Sequence, residues 1–207
     1  MRTELKGAFL TLLLLAVTGL VAALVFVKTT GLSARATPGP IETAVARRLQ
    51  AWAVPGEYRE LSNPVLRNEE SIRSGMAHFA DHCATCHGND GSGDVPIGIG
   101  MFPPAPDMRA QATQERSDGE LFYIIEHGVR FTGMPAWSTG TIEGEEGSWH
   151  LVNFIRHLPH LTGDEIVEMA GMNPKPPAEI RQEIEAERFL RGEDIAPAAP
   201  VHEGGGR

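Results

Sequence analysis

Cysteine is nearly missing from this chain: Cys83 and Cys86 are the only two in 207 residues. A structural zinc site needs further Cys or His ligands at comparable spacing, and no second Cys pair supplies them. A dithiol redox motif belongs in a βαβ pattern that the chain does not contain. Aromatic residues make up only 6% of the sequence, and β-branched alternation is scarce, which argues against a sheet protein. Positive charge is also sparse. Between positions 67 and 160, six Arg and no Lys face 13 Asp and Glu, a balance of −7 within a whole-chain net charge of −9. No basic stripe exists, so nucleic acid is excluded as a partner. If the acidic surface steers docking, the partner presents a basic face. No Ser/His/Asp triad, Walker run or dinucleotide fingerprint occurs, so nothing supports chemistry of those kinds.

The two cysteines stand in one run, Cys83-Ala84-Thr85-Cys86-His87. Thiols three residues apart on a helical turn can add to the two vinyl groups of a single haem, and the adjoining imidazole is then delivered to the iron. The motif predicts one covalent haem c, with Cys83 and Cys86 as attachment points and His87 as an axial ligand. A small, largely helical domain whose apolar interior is supplemented by this cofactor fits the modest hydrophobic content.

Residues 8–27 read AFLTLLLLAVTGLVAALVFV. As a helix at about 1.5 Å per residue, twenty uncharged residues span roughly 30 Å, the thickness of a bilayer core. This run is expected to be a transmembrane anchor. Ala34-Arg35-Ala36 has the form of a cleavage site, which makes a signal peptide removed near Ala36 the alternative; cleavable apolar regions usually run only about 7–15 residues. Flanking charges, Arg2 and Lys6 against Lys28 and Arg35, do not fix the orientation. The short N-terminal flank favours an inside start, and covalent haem is attached outside the cytoplasmic membrane, so the C-terminal part is expected in the periplasm.

Residues 30–67 read as a tether with a short amphipathic helix near 41–54, where Val45, Leu49 and Trp52 recur at helical spacing. Trp52 is expected to pack, with a place at the membrane interface as the alternative. Asn68-Glu69-Glu70 is a helix start, and Ile72, Met76, Phe79 and Cys83 share the face that leads into the haem motif. Gly75 on that face lets a second helix approach closely. The Gly- and Pro-rich stretch from Gly88 to Pro106 is expected to be a loop lying on a rigid object. Ser117-Asp118-Gly119-Glu120 is a capping box that opens a short helix ended by Gly128. Thr132-Gly133-Met134-Pro135-Ala136-Trp137 is turn-prone and presents one thioether. Leu151, Phe154, Ile155 and Leu158 then mark a closing amphipathic helix before Pro159. Beyond it, residues 161–170 and 177–190 carry helix signals, and the tail 192–207 has a disordered composition.

The run Gly75-x-x-x-Phe79 ahead of CATCH, the Gly-rich loop behind it, Gly-Met134-Pro-Ala-Trp and the LVNFIRHLP helix together resemble class I cytochromes c, and more closely the small bacterial monohaem domains. The resemblance covers 68–159. It implies an all-α fold whose first and last helices cross near Gly75 and Phe154. It also implies His87 and Met134 as the two axial ligands, and a carbonyl of the Pro103-Pro104 loop accepting a hydrogen bond from His87. From the residues alone, Met101, Met108 and His127 stay open as rivals to Met134. The expected organisation is an anchor over 1–29, a linker over 30–67, a haem domain over 68–160, a helical extension over 161–191 and a disordered tail over 192–207. The expected function is one-electron transfer by a membrane-tethered carrier rather than an enzyme, between redox protein donor and acceptor, with membrane complexes as partners. A fixed haem subunit of a larger membrane redox enzyme is the alternative, and a gas-binding or peroxidatic haem protein the third reading.

Overall fold

The computed structural model describes residues 2–31 and 33–192, and among them there is no strand. The tail beyond Gly192 lies outside the described residues. Helix α1 (Arg2–Thr30) carries the apolar run and is, among the described residues, the one helix long and apolar enough to cross a membrane; none of its span is buried by the rest of the protein. Helix α2 (Pro40–Ala53) starts with Pro at its first position, where the missing N–H costs nothing, and Gly39 N donates to Glu42 Oε2 at 3.3 Å. It buries none of its residues. Trp52 is 81% exposed, which corrects the expectation that it packs.

The segment after α2 folds onto the rest of the domain. Val54 is buried, and α3 (Gly56–Arg59) sets Tyr58 edge-on to Tyr123, ring centroids 4.9 Å apart. Asn63 Nδ2 donates to the Trp149 carbonyl and to Asn153 Oδ1, both at 3.0 Å, and Arg67 donates to the Arg156 carbonyl. Long polar reaches of this kind fix a segment that has little regular structure of its own.

Helix α4 (Glu69–His78) is capped by Asn68, whose Oδ1 accepts from Ser71 N at 2.8 Å while Ser71 Oγ accepts from Asn68 N. A π-helical turn, Phe79–Cys83, follows, and α5 (Ala84–His87) carries the path through the haem motif to Gly88 at φ 71°. The short helices α6 (Pro96–Ile99) and α7 (Gln111–Gln114) interrupt the connection to α8 (Asp118–His127), which opens on the Ser117/Glu120 capping box. The last large helix, α9 (Ile142–His157), is capped by Thr141.

α4 and α9 cross at Gly75, as the resemblance implied. A Cβ on Gly75 would lie 2.1 Å from the His150 carbonyl oxygen and 2.9 Å from Phe154 Cβ, so only glycine permits this approach. Met76, Phe79, Leu151, Val152, Phe154 and Ile155 form the core at the crossing. Phe122 of α8 stacks on Trp149, centroids 4.1 Å apart. Helix α10 (Gly163–Ala170) lies on the same core through the fully buried Met169, with Arg73 paired to Glu168 and His157 Nε2 2.8 Å from Glu165 Oε1. A separate unit begins at Asn173; its helix α11 (Pro177–Leu190) buries no residue and carries the Lys175–Glu183 and Glu187–Arg191 pairs.

Candidate haem site

The helical path from α4 brings Cys83, Cys86 and His87 to one end of the crossing. The switch from α to π winding over Phe79–Cys83 inserts one extra residue into the helix, a device common where a helix must present functional side chains. Burial, with the neighbouring Cys86 thiol adding to it, pushes the Cys83 thiol up to about 12. The raised Cys83 thiol is the opposite of what a redox dithiol needs, a lowered thiol that is ionised near neutrality.

His87 is 8% exposed. Burial pushes its pKa down, against the Pro106 carbonyl, which favours the protonated ring; burial prevails, and the neutral imidazole is the form that ligates metal. Its Nδ1 is buried without a well-formed hydrogen bond. The carbonyl beside the ring is that of Pro106, so of the prolines in the Pro103-Pro104 loop, among which the sequence left the choice open, the folded path brings this one to His87. That path is set by close backbone contacts. Gly93 N donates to the His87 carbonyl at 2.7 Å, Ala105 N to Gly98 at 3.0 Å and Met108 N to Gly91 at 2.8 Å. A Cβ on Gly98 would lie 2.3 Å from the Cys86 carbonyl oxygen, so the loop lies against the motif with no room for a side chain.

Met134 is half-buried on the far loop. Its amide donates to Thr132 Oγ1 and its carbonyl accepts from Val129 N, both at 3.1 Å. Trp137 N donates to the Ile125 carbonyl, tying the loop to the end of α8, and the Trp137 ring meets His82 edge-on at 5.4 Å, one residue before Cys83. This brings the Met134 loop to the same end of the domain as the haem motif. Two of the three rivals are placed elsewhere. Met108 is buried in the core. His127 lies on the outside of α8 between Tyr123 and Tyr58, its Nδ1 3.1 Å from the Tyr123 carbonyl. Met101 rests on the Met134 loop, its Sδ 2.1 Å from where a Cβ on Gly133 would sit.

Two features escape a reading of the sequence. Pro106 is one of several prolines in its loop, and only the folded path selects it. Phe131, in the loop ahead of Met134, is 93% exposed and holds φ at 63°, a left-handed conformation costing roughly 1–2 kcal/mol for a residue with a Cβ. No pattern in the sequence marks it.

A buried neutral imidazole on the same turn as two cysteines, with a glycine-lined loop held against that turn, fits a haem attached by thioethers. Residues 70–155, a little under half of the chain, match the family described as cytochrome c oxidase, cbb3-type, subunit III. The chain carries a class I cytochrome c haem domain with a covalently bound c-type haem, and Cys83 and Cys86 are its only thiols.

Proposed function

We propose that this class I cytochrome c domain moves single electrons between protein partners, with His87 and Met134 as the axial ligands and α1 holding the domain to the outer, periplasmic side of the membrane. The haem supplies a one-electron couple. The protein's part is to bind and orient it. Cys83 and Cys86 fix its position through two bonds, and His87 offers Nε2 when Nδ1–H is turned toward the Pro106 carbonyl. That hydrogen bond holds the tautomer and the ring plane. Met134, on a loop closed by Thr132 and Trp137, would supply a thioether as the second ligand. Two strong side-chain ligands leave no position for a substrate, and a thioether favours the reduced state.

The single observation that carries this reading is the buried His87, neutral, with Nδ1 lacking a well-formed partner beside a backbone carbonyl. The test is spectroscopic. The ferric protein is expected to show the weak thioether-to-iron band at the red end of the visible spectrum. Met134→His should abolish that band and lower the potential, whereas Met101→Leu and Met108→Leu should retain it. Absence of the band in the wild type, or ready binding of carbon monoxide to the ferrous protein, sinks the carrier reading.

The description of the matched family as an oxidase subunit favours a second reading, a fixed haem subunit of a membrane redox enzyme. Copurification from gently solubilised membranes separates the two, since a permanent subunit stays with its complex and a shuttle does not.

A further inference from the structure

We propose that α2 lies in the membrane interface and sets the orientation of the haem domain on the bilayer; the proposal rests on the reading of α1 as a retained anchor. At about 100° per residue, Ile41, Val45, Leu49 and Trp52 fall within one arc of about 80° along α2. All four are exposed, at 79%, 51%, 58% and 81%. None of the described residues covers this stripe, because α2 meets the domain with its other side: Arg116 donates to Gln50 Oε1 at 2.8 Å and the Arg59 guanidinium to the Ala51 carbonyl. Val54, next in the chain, is buried.

Two observations select lipid as the occupant. The first is reach. Nine residues separate the end of α1 from the start of α2, a span of roughly 30 Å at full extension, so the stripe cannot travel far from the surface that α1 enters. The second is charge. Residues 1–53 carry six Lys and Arg against two Asp and Glu, a balance of +4, which leaves −13 for the remainder. Lys28, Arg35, Arg47 and Arg48 therefore lie in the one part of the chain that anionic headgroups attract, while the haem domain is repelled by them. A Trp at one end of an apolar stripe, with Arg48 at the stripe's edge, matches a helix lying at the headgroup boundary.

The consequence is orientation. Because α2 is hydrogen-bonded to the domain on one side and held by lipid on the other, the domain is not free to tumble on its tether. A partner embedded in the same membrane meets one fixed presentation of it.

The test uses the full-length haem-loaded protein in vesicles of phosphatidylcholine and phosphatidylglycerol, with nitroxide labels at single introduced cysteines. Ile41→Cys, Val45→Cys, Leu49→Cys and Trp52→Cys report the stripe; Ala44→Cys and Ala46→Cys lie off it; Val21→Cys reports α1 and Glu143→Cys the aqueous surface. The stripe labels are expected to meet oxygen several-fold more often, relative to a water-soluble nickel chelate, than the Glu143 label does, with a helical oscillation through positions 44 and 46. All these positions are exposed, so no variant threatens the fold. Stripe labels as open to the chelate as Glu143, with the Val21 label still in lipid, overturn the proposal and leave the anchor intact. A Val21 label in water overturns the anchor and the proposal with it. Stripe labels shielded from both reagents reveal a protein contact and overturn the lipid assignment.

Discussion

Glu165 serves two purposes with one carboxylate: it accepts from the amide and hydroxyl of Thr162 at the start of α10, and it meets His157 of α9. Burial pushes its pKa up, but the Thr162 amide, the Thr162 hydroxyl and His157 outweigh that, so it titrates below its ordinary 4.5. Between the two values the unfolded chain binds a proton that the folded one does not, so lowering the pH favours unfolding. The stabilisation is complete above about 4.5 and is lost as the pH falls through the lower, folded value. Glu165→Gln is expected to remove about 1 kcal/mol at neutral pH, the usual worth of a cap, and to flatten the acid limb of stability. Urea midpoints of both proteins at about pH 7 and about pH 3.5 check this; an equally steep acid limb in the variant rejects it. A helix over 161–170 was legible in the sequence; the Thr162 cap came from the structure. The second use of Glu165 was not legible, because His157 approaches from a different helix.

At the scale of elements, the crossing of α4 and α9 decides whether the domain exists. Gly75→Ala places a methyl 2.1 Å from a backbone oxygen and 2.9 Å from the Phe154 Cβ, and neither is the far end of a flexible chain. The helices must separate, and overpacking of this kind costs about 1–3 kcal/mol or more. A lower melting temperature of the haem-loaded protein is the expected outcome. Gly133→Ala is the contrasting case, because the atom in its way is the mobile Met101 Sδ, and it should cost far less. An equal loss from both rejects the argument. Helix α9 also shows where sequence patterns end: the apolar spacing announced residues 149–158, yet the helix begins at Ile142. Its first turns contain Glu143, Gly144, Glu145, Glu146 and Gly147 and have no apolar period to detect. The Thr141 cap and the packing of the helix on α4 extend it.

The whole molecule divides by charge and hydropathy into a basic, apolar front and an acidic remainder. A retained α1 is expected to keep the protein in the membrane pellet through a high-salt wash, because salt screens charge without extracting an apolar helix. Mass analysis of the mature N-terminus is the direct check. A start at Thr37 would identify a removed signal peptide, and the protein would then appear in the soluble periplasmic fraction.

The sequence by itself determined the covalent chemistry and the outline of the helices. Two thiols and an imidazole on one turn specify their cofactor by spacing alone, and Asn68 and Ser117 announce helix starts through interactions within a single turn. Tertiary structure decided everything that depends on one segment meeting another: which proline of its loop, Pro106, lies beside His87, the seating of Met169 and α10 on the core, and Met108 as packing. It also decided that Trp52 faces outward, since the amphipathic pattern of α2 gives a stripe but not what lies opposite it. The physical reason is range. Caps, turns and thioether spacing act over three or four residues that the chain already holds together, whereas burial and the choice of a hydrogen-bond partner depend on contacts tens of residues apart that exist only once the helices have packed.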